Sequence, residues 1–215
     1  FVVVFDSARK NFRNEIYSEY KANRGETPED LIPQFEYFRK SVEAFNLSSI
    51  EMLNYEADDL IATYTDQILK KGAKVTIVSS DKDLMQLFKK DVRIFDPMKN
   101  KIISLDDIKN KFGVEPNKIV DVQALAGDAS DNVPGVPGIG IKTAAELINN
   151  YKTLENLLSK AEEIKQNKKR ESLILNKQKA ILSKKLVSLK HDVPIKNTLE
   201  SFKLKNINKE KLYSF

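Results

Sequence analysis

Residues 73–83 read "AKVTIVSSDKD". The segment Val75–Val78 is β-branched throughout and short, which suits a buried strand of a parallel sheet. Two serines follow, then two acids, Asp81 and Asp83. Open parallel sheets carry their sites at the carboxyl ends of strands, so these acids fall where chemistry is done. A second strand signal, "FVVVF" at 1–5, likewise runs straight into an acid, Asp6. Between the two runs, "TPEDLIPQFEYFRKSVEAFNL" (27–47) has a helix start signal and helical apolar spacing, and "YEADDLIATYTDQILKKG" (55–72) predicts a second helix closed by Gly72. "VRIFDP" (92–97) predicts one more short strand. Strand, helix and strand in alternation predict an α/β domain with a parallel sheet. Beyond about Phe112 the pattern is helical to the end, so the expected organisation is an α/β unit over 1–111 followed by a helical region over 112–215.

Composition limits the chemistry. With no Cys, disulfides, thiolate zinc sites and cysteine nucleophiles are excluded; the single His, His191, leaves little room for His-based metal binding or a Ser/His triad and reads as a surface residue. Carboxylates, hydroxyls, Lys and Arg remain. A net charge of +5 suits an anionic partner. The charge is concentrated: Lys165 to Lys190 holds nine Lys/Arg against the single acid Glu171. With no long apolar run and no secretory pattern, a soluble cytoplasmic protein is expected.

Acids accumulate at the expected sheet rim. Glu56 and Asp59 share a face at the head of a helix with Asp58 beside them, and "GDASD" adds Asp128 and Asp131. Any one acid at a helix N-terminus could simply complement the macrodipole. Eight together, Asp6, Glu56, Asp58, Asp59, Asp81, Asp83, Asp128 and Asp131, repel one another unless cations neutralise them. Oxygen ligands without His or Cys point to Mg²⁺ or Mn²⁺, enough for two ions, which about 4 Å apart support phosphodiester hydrolysis. The following "GVPGIG" (135–140) reads as a backbone cradle for phosphate at the start of a helix near Lys142. It is not a Walker A loop, because Ile141 separates Gly140 from Lys142 and Thr143, and it lacks the third Gly of a dinucleotide fingerprint. A turn between two helices gripping a nucleic-acid backbone fits better.

"VVVFD", "YKANR", "YEADD", "SSDKDLMQL" and "GDASDNVPGVPGIGIKTA", in that order, resemble the 5′-nuclease family: the 5′→3′ exonuclease domains of bacterial DNA polymerase I and the phage and eukaryotic flap endonucleases. The resemblance spans nearly the whole chain. It implies a PIN-like/resolvase-like α/β nuclease followed by a helix-3-turn-helix region, acting with two Mg²⁺ (or Mn²⁺) near the 5′ end of a flap, nick or RNA primer on DNA. The eight acids become its metal ligands. Gly135, Gly138, Gly140, Lys142 and Thr143 become the duplex-holding turn, with a K⁺ in some relatives. "YKANR" opens a helical arch, where Tyr20 would stack a frayed base and Lys21 and Arg24 would face the scissile phosphate, with Arg13 extending the positive stretch. A monomer and a C-terminal polymerase region in the full-length protein are further implications. The family has an earlier strand ending in Asp, whereas this chain opens at Phe1 in the next strand, so an incomplete first metal site and a non-cleaving junction binder form the alternative expectation. A PIN-like ribonuclease would share the acids but would have no need of "GVPGIGIKT".

Overall fold

The computed structural model describes all 215 residues. Strand β1 (Val2–Val4) is followed by a short helix α1 (Phe12–Ile16) and, after the turns of residues 17–33, by α2 (Gln34–Ala44). The helix expected from residue 27 therefore starts later. Pro33 takes the N-cap position at φ −65°, where its missing N–H is harmless. Strand β2 (Ser48–Ile50), which the sequence reading did not anticipate, pairs in parallel with β1, Val3 opposite Ser49. Helix α3 (Ala57–Lys70) carries Leu60, Ile61, Tyr64 and Ile68 on one stripe and ends before Gly72, whose φ of +74° is natural for glycine at a helix end. Strands β3 (Val75–Val78) and β4 (Val92–Asp96) are parallel, and β5 (Lys101–Ile102) adds an antiparallel edge.

The strands form two hydrogen-bonded groups, β1-β2 and β3-β4-β5, rather than one ladder. An apolar groove of about 600 Å³, lined by Val2–Val4, Ile61, Tyr64, Ile77, Val78 and Phe202 among others, lies between β1 and β3. The remainder is helical: α4 (Leu105–Phe112), α5 (Ile119–Ala126), α6 (Ile141–Tyr151), α7 (Leu154–Ser159), α8 (Asn167–Leu175), α9 (Lys177–Val187) and α10 (Lys209–Ser214). Residues 189–198 carry no regular element. The main core takes Ile77 and Ile94 from the strands, Ile108 and Phe112 from α4, Leu125 from α5, Ile148 from α6 and Leu157 from α7. Packing is thus continuous across residues 111 and 112.

The turn before α6 is held by close backbone approach. Gly127 (φ +73°) and Gly135 (φ +60°) face each other so tightly that a Cβ on Gly135 would stand 2.5 Å from the Gly127 nitrogen. The Gly135 N–H also donates to the buried Ser183 Oγ on α9 at 2.9 Å. Gly138 has φ +79° with nothing within 4 Å of its would-be Cβ. Gly135→Ala should therefore lower stability by about 1–3 kcal/mol from overpacking, in addition to the left-handed strain of about 1–2 kcal/mol that it shares with Gly138→Ala. Urea denaturation of both variants checks this; equal losses would contradict the close-approach account.

Candidate active site

Six of the eight acids, Glu56, Asp58, Asp81, Asp83, Asp128 and Asp131, line one depression together with Tyr20 and Lys21. Each arrives for a local reason. Glu56 and Asp58 sit at the start of α3, and Asp81 and Asp83 follow β3, where the Asp81 carboxylate turns the chain by accepting from the Asp83 N–H at 2.8 Å. Asp128 and Asp131 lie in the bend after α5, closed by reciprocal backbone bonds between Asp128 and Val133. Asp6 stands exposed at the end of β1, accepting from the Ala57 N–H at 2.7 Å, near enough for its charge to act on Asp58.

Asp59 does not join them. It is fully buried and takes a two-pronged ion pair from Arg13, both N–O distances 2.7 Å, plus the Lys190 N–H at 2.8 Å. Arg13, expected at DNA, is 1% exposed and also donates to the carbonyls of Leu186 (2.8 Å) and Ser188 (3.0 Å). Burial acts to lower the Arg13 pKa, but Asp59 more than offsets it. The guanidinium stays charged. Both expectations are corrected for one reason: a planar cation and a carboxylate that pair fully inside the protein are unavailable to metal or phosphate. Tyr20 is corrected too. Its ring is 4% exposed, packed with Val133, Leu186 and Val187, so it offers no face to a base, and its hydroxyl donates to Glu56 at 3.1 Å. Burial first, then the Glu56 charge, pushes that hydroxyl's pKa up.

Cationic side chains reach into the depression. Lys21, at φ +57°, pairs with Glu56 and lies 3.6 Å from Asp131. Arg24 meets Asp131 at 2.6 Å, and Lys82, between the acids of "DKD", meets Asp128 at 2.5 Å. Burial would raise the Asp128 pKa, but Lys82 and Ser130 hold it below the ordinary value. In this ion-paired arrangement no three acids form a ready-made ligand group. The negative charge is nevertheless not balanced everywhere. Burial, then Asp81, Glu56, Asp83 and Asp6, pushes the Asp58 carboxyl up to about 8. Oxygen donors carrying excess negative charge fit a hard divalent cation.

Sequence reasoning missed Lys82, although "DKD" displays it, and Gln123 of α5, which donates to Asp83 at 2.6 Å and carries no sequence signal. It also missed the exposed aromatics of α2: Phe35 and Phe38, whose rings pack edge to face, are 42% and 46% exposed, and Tyr37 is 58% exposed. The "YKANR" segment forms turns rather than a helix. In the glycine turn, Gly135 is buried, Gly138, Gly140 and Lys142 are exposed, and Thr143 is half-buried; Gly140 caps α6 with no side chain covering the helix N–H groups. His191 pairs with Asp66 at 2.7 Å on the surface, away from the acids.

A strand rim of carboxylates joined to a helical turn with open N–H groups defines a class of phosphodiester-processing fold, and the comparisons specify it. The family described as 5′-3′ exonuclease, N-terminal resolvase-like domain, matches residues 1–113, and that described as 5′-3′ exonuclease, C-terminal SAM fold, matches 114–210. The chain belongs to the 5′-3′ exonuclease family. It is 51% identical over 213 residues to DNA polymerase I of Rhizobium leguminosarum, covering 99% of this chain but 21% of that protein. With the 5′-3′ exonuclease of Buchnera aphidicola subsp. Acyrthosiphon pisum it shares 40% identity, over 95% of this chain and 73% of the relative. Among solved structures it is similar to the bacteriophage T5 flap endonuclease in a pseudo-enzyme–product complex with DNA and metal ions (TM-score 0.76, 25% identity, 86% of this chain and 72% of that one). The bacteriophage T5 5′-exonuclease with divalent metal ions bound gives a TM-score of 0.74 at 25% identity, over 86% and 73% of the two chains. No helix of this chain is long and apolar enough to cross a membrane.

Two outcomes follow from these contacts. Arg13→Met should destabilise the protein by about 3–5 kcal/mol by leaving Asp59 buried and uncompensated, and Arg13→Met with Asp59→Leu should recover most of the loss. A DNA-binding role for Arg13 would instead leave the melting temperature unchanged. Asp58, whose folded carboxyl lies above its ordinary value of 3.8, contributes stability that is full below about pH 4 and is lost as pH rises towards about 8. In EDTA, Asp58→Asn should therefore raise the melting temperature at pH 8 more than at pH 5. No gain at pH 8 would contradict the charge imbalance.

Proposed function

We propose that this chain is a structure-selective, Mg²⁺-dependent 5′ nuclease that hydrolyses phosphodiester bonds near the 5′ end of a DNA flap, nick or RNA primer. The observation that carries the reading is the depression itself: six carboxylates, with Lys21 and Arg24 ion-paired to two of them. Glu56, Asp58, Asp81, Asp83, Asp128 and Asp131 together would hold two divalent ions, with Asp6 acting through charge. When bound, such ions supply a nucleophile at neutral pH and stabilise the leaving oxygen. The chain's own part is positioning. Lys21 and Arg24, released from Glu56 and Asp131 as those acids turn to cations, would meet the scissile phosphate with preorganised positive charge. The exposed N–H groups at the start of α6, with Lys142 beside them, suit the duplex backbone, and K⁺ could share that turn. Base stacking falls to Phe35, Tyr37 and Phe38 of α2 rather than to Tyr20. Domain limits at 111 and 112, a single-chain state and a polymerase region elsewhere in the full-length protein belong to the same reading.

The test is a 5′-labelled flap duplex incubated with and without Mg²⁺, alongside gel-shift binding. Wild type should cut only with the metal. Asp131→Asn should cut more than about a hundredfold more slowly yet bind at least as tightly, since a charge repelling phosphate is gone. Lys142→Ala should weaken binding and lower the salt slope by about one unit. Binding without cleavage in either Mg²⁺ or Mn²⁺ would replace the nuclease with the junction binder.

A further inference from the structure

Gln123 is a buried polar residue in the middle of α5, a helix otherwise packed into the main core through Val122, Ala124 and Leu125. An amide there needs a reason, since a buried polar group without partners costs about 1–3 kcal/mol. Its side chain is half-satisfied. Nε2 donates to Asp83 Oδ1 at 2.6 Å, whereas Oε1 is the one buried side-chain polar atom of the protein with no hydrogen-bond partner. The amide orientation follows from the contact itself, because the reverse would set an oxygen against a carboxylate. Asp83 is otherwise fixed only at its backbone, through the N–H given to Asp81. Its carboxylate depends on Gln123 for direction. The Gln123 backbone carbonyl accepts the Gly127 N–H at 2.8 Å, at the bend that leads into Asp128. Gln123 thus joins acids that arrive from two distant parts of the chain.

Resting on the reading that these acids hold divalent cations, we propose that Gln123 is a positioning residue of the cation site. Its N–H takes one oxygen of Asp83 and leaves Oδ2 for an ion, fixing the carboxylate at the distance from Asp128 that α5 sets. The aim of Nε2 at a carboxylate of the depression, rather than at a neighbour in the core, distinguishes this from a packing role. A residue kept for stability would satisfy both ends of its amide or be replaced by an apolar side chain, which fits the surroundings better.

Gln123→Met keeps length and approximate volume and removes both polar atoms. Mn²⁺ binding, measured by titration calorimetry and by the loss of free-Mn²⁺ electron paramagnetic resonance signal, should weaken about tenfold. The melting temperature in EDTA should hold, since removal of the unpartnered Oε1 offsets the hydrogen bond lost at Asp83, and affinity for branched duplex in EDTA should not change. Gln123→Asn, which withdraws the amide by one methylene, serves as the second variant and should show the same loss of Mn²⁺ affinity. Wild-type Mn²⁺ affinity in both variants would overturn the proposal alone. So would a lowered melting temperature that accounts for the weakened binding. Failure of the wild type to bind Mn²⁺ at all would overturn the nuclease reading with it.

Discussion

Carboxylate repulsion is the constraint around which this protein is arranged. Three chain segments, from the start of α3, the end of β3 and the bend after α5, bring six acids into one depression, and the sheet and helices must hold them there against their own charge. Protein cations offset part of it: Lys21 against Glu56, Arg24 against Asp131 and Lys82 against Asp128. What they leave is visible at Asp58, driven towards its neutral form by burial and four acidic neighbours. Charge that Lys21, Arg24 and Lys82 balance can be taken over by ions, and this is the physical link between the fold and metal-dependent phosphate chemistry.

The depression keeps its shape because the helical region braces it from below. Arg13 ties α1 to Asp59 of α3 and, through the carbonyls of Leu186 and Ser188, to the end of α9. Tyr20, Leu186 and Val187 pack beneath the acids, and Ser183 of the same helix holds the glycine turn through Gly135. One helix therefore supports both the acid site and the turn proposed for duplex DNA. A buried ion pair is weak evidence for net stability, but its geometry sets where α1, α3 and α9 meet.

Most of this was legible where local pattern and local structure agree. The β-branched runs ending in acids became β1, β3 and β4, Gly72 closed α3, and the "GVPGIG" stretch became a turn opening α6. Burial was not legible. Nothing in "YEADD" separates Asp58, which faces the depression, from Asp59, which points into the protein at Arg13, because the partner lies 46 positions away. Arg13 and Tyr20 read as surface groups for the same reason. Strand β2 was missed because "SSI" is too short and polar to signal itself and exists only as a partner for β1. Gln123 was invisible because its role comes from a contact with Asp83 across 40 positions.

On the nuclease reading the rim of acids is a two-cation site. Diffraction from crystals soaked in Mn²⁺, with anomalous data collected at the manganese absorption edge, tests it most directly. Two anomalous peaks are expected in the depression, among Glu56, Asp58, Asp81, Asp83, Asp128 and Asp131, with Lys21 and Lys82 moved away from their acids. A map with no peak there, and both lysines still paired, would contradict it.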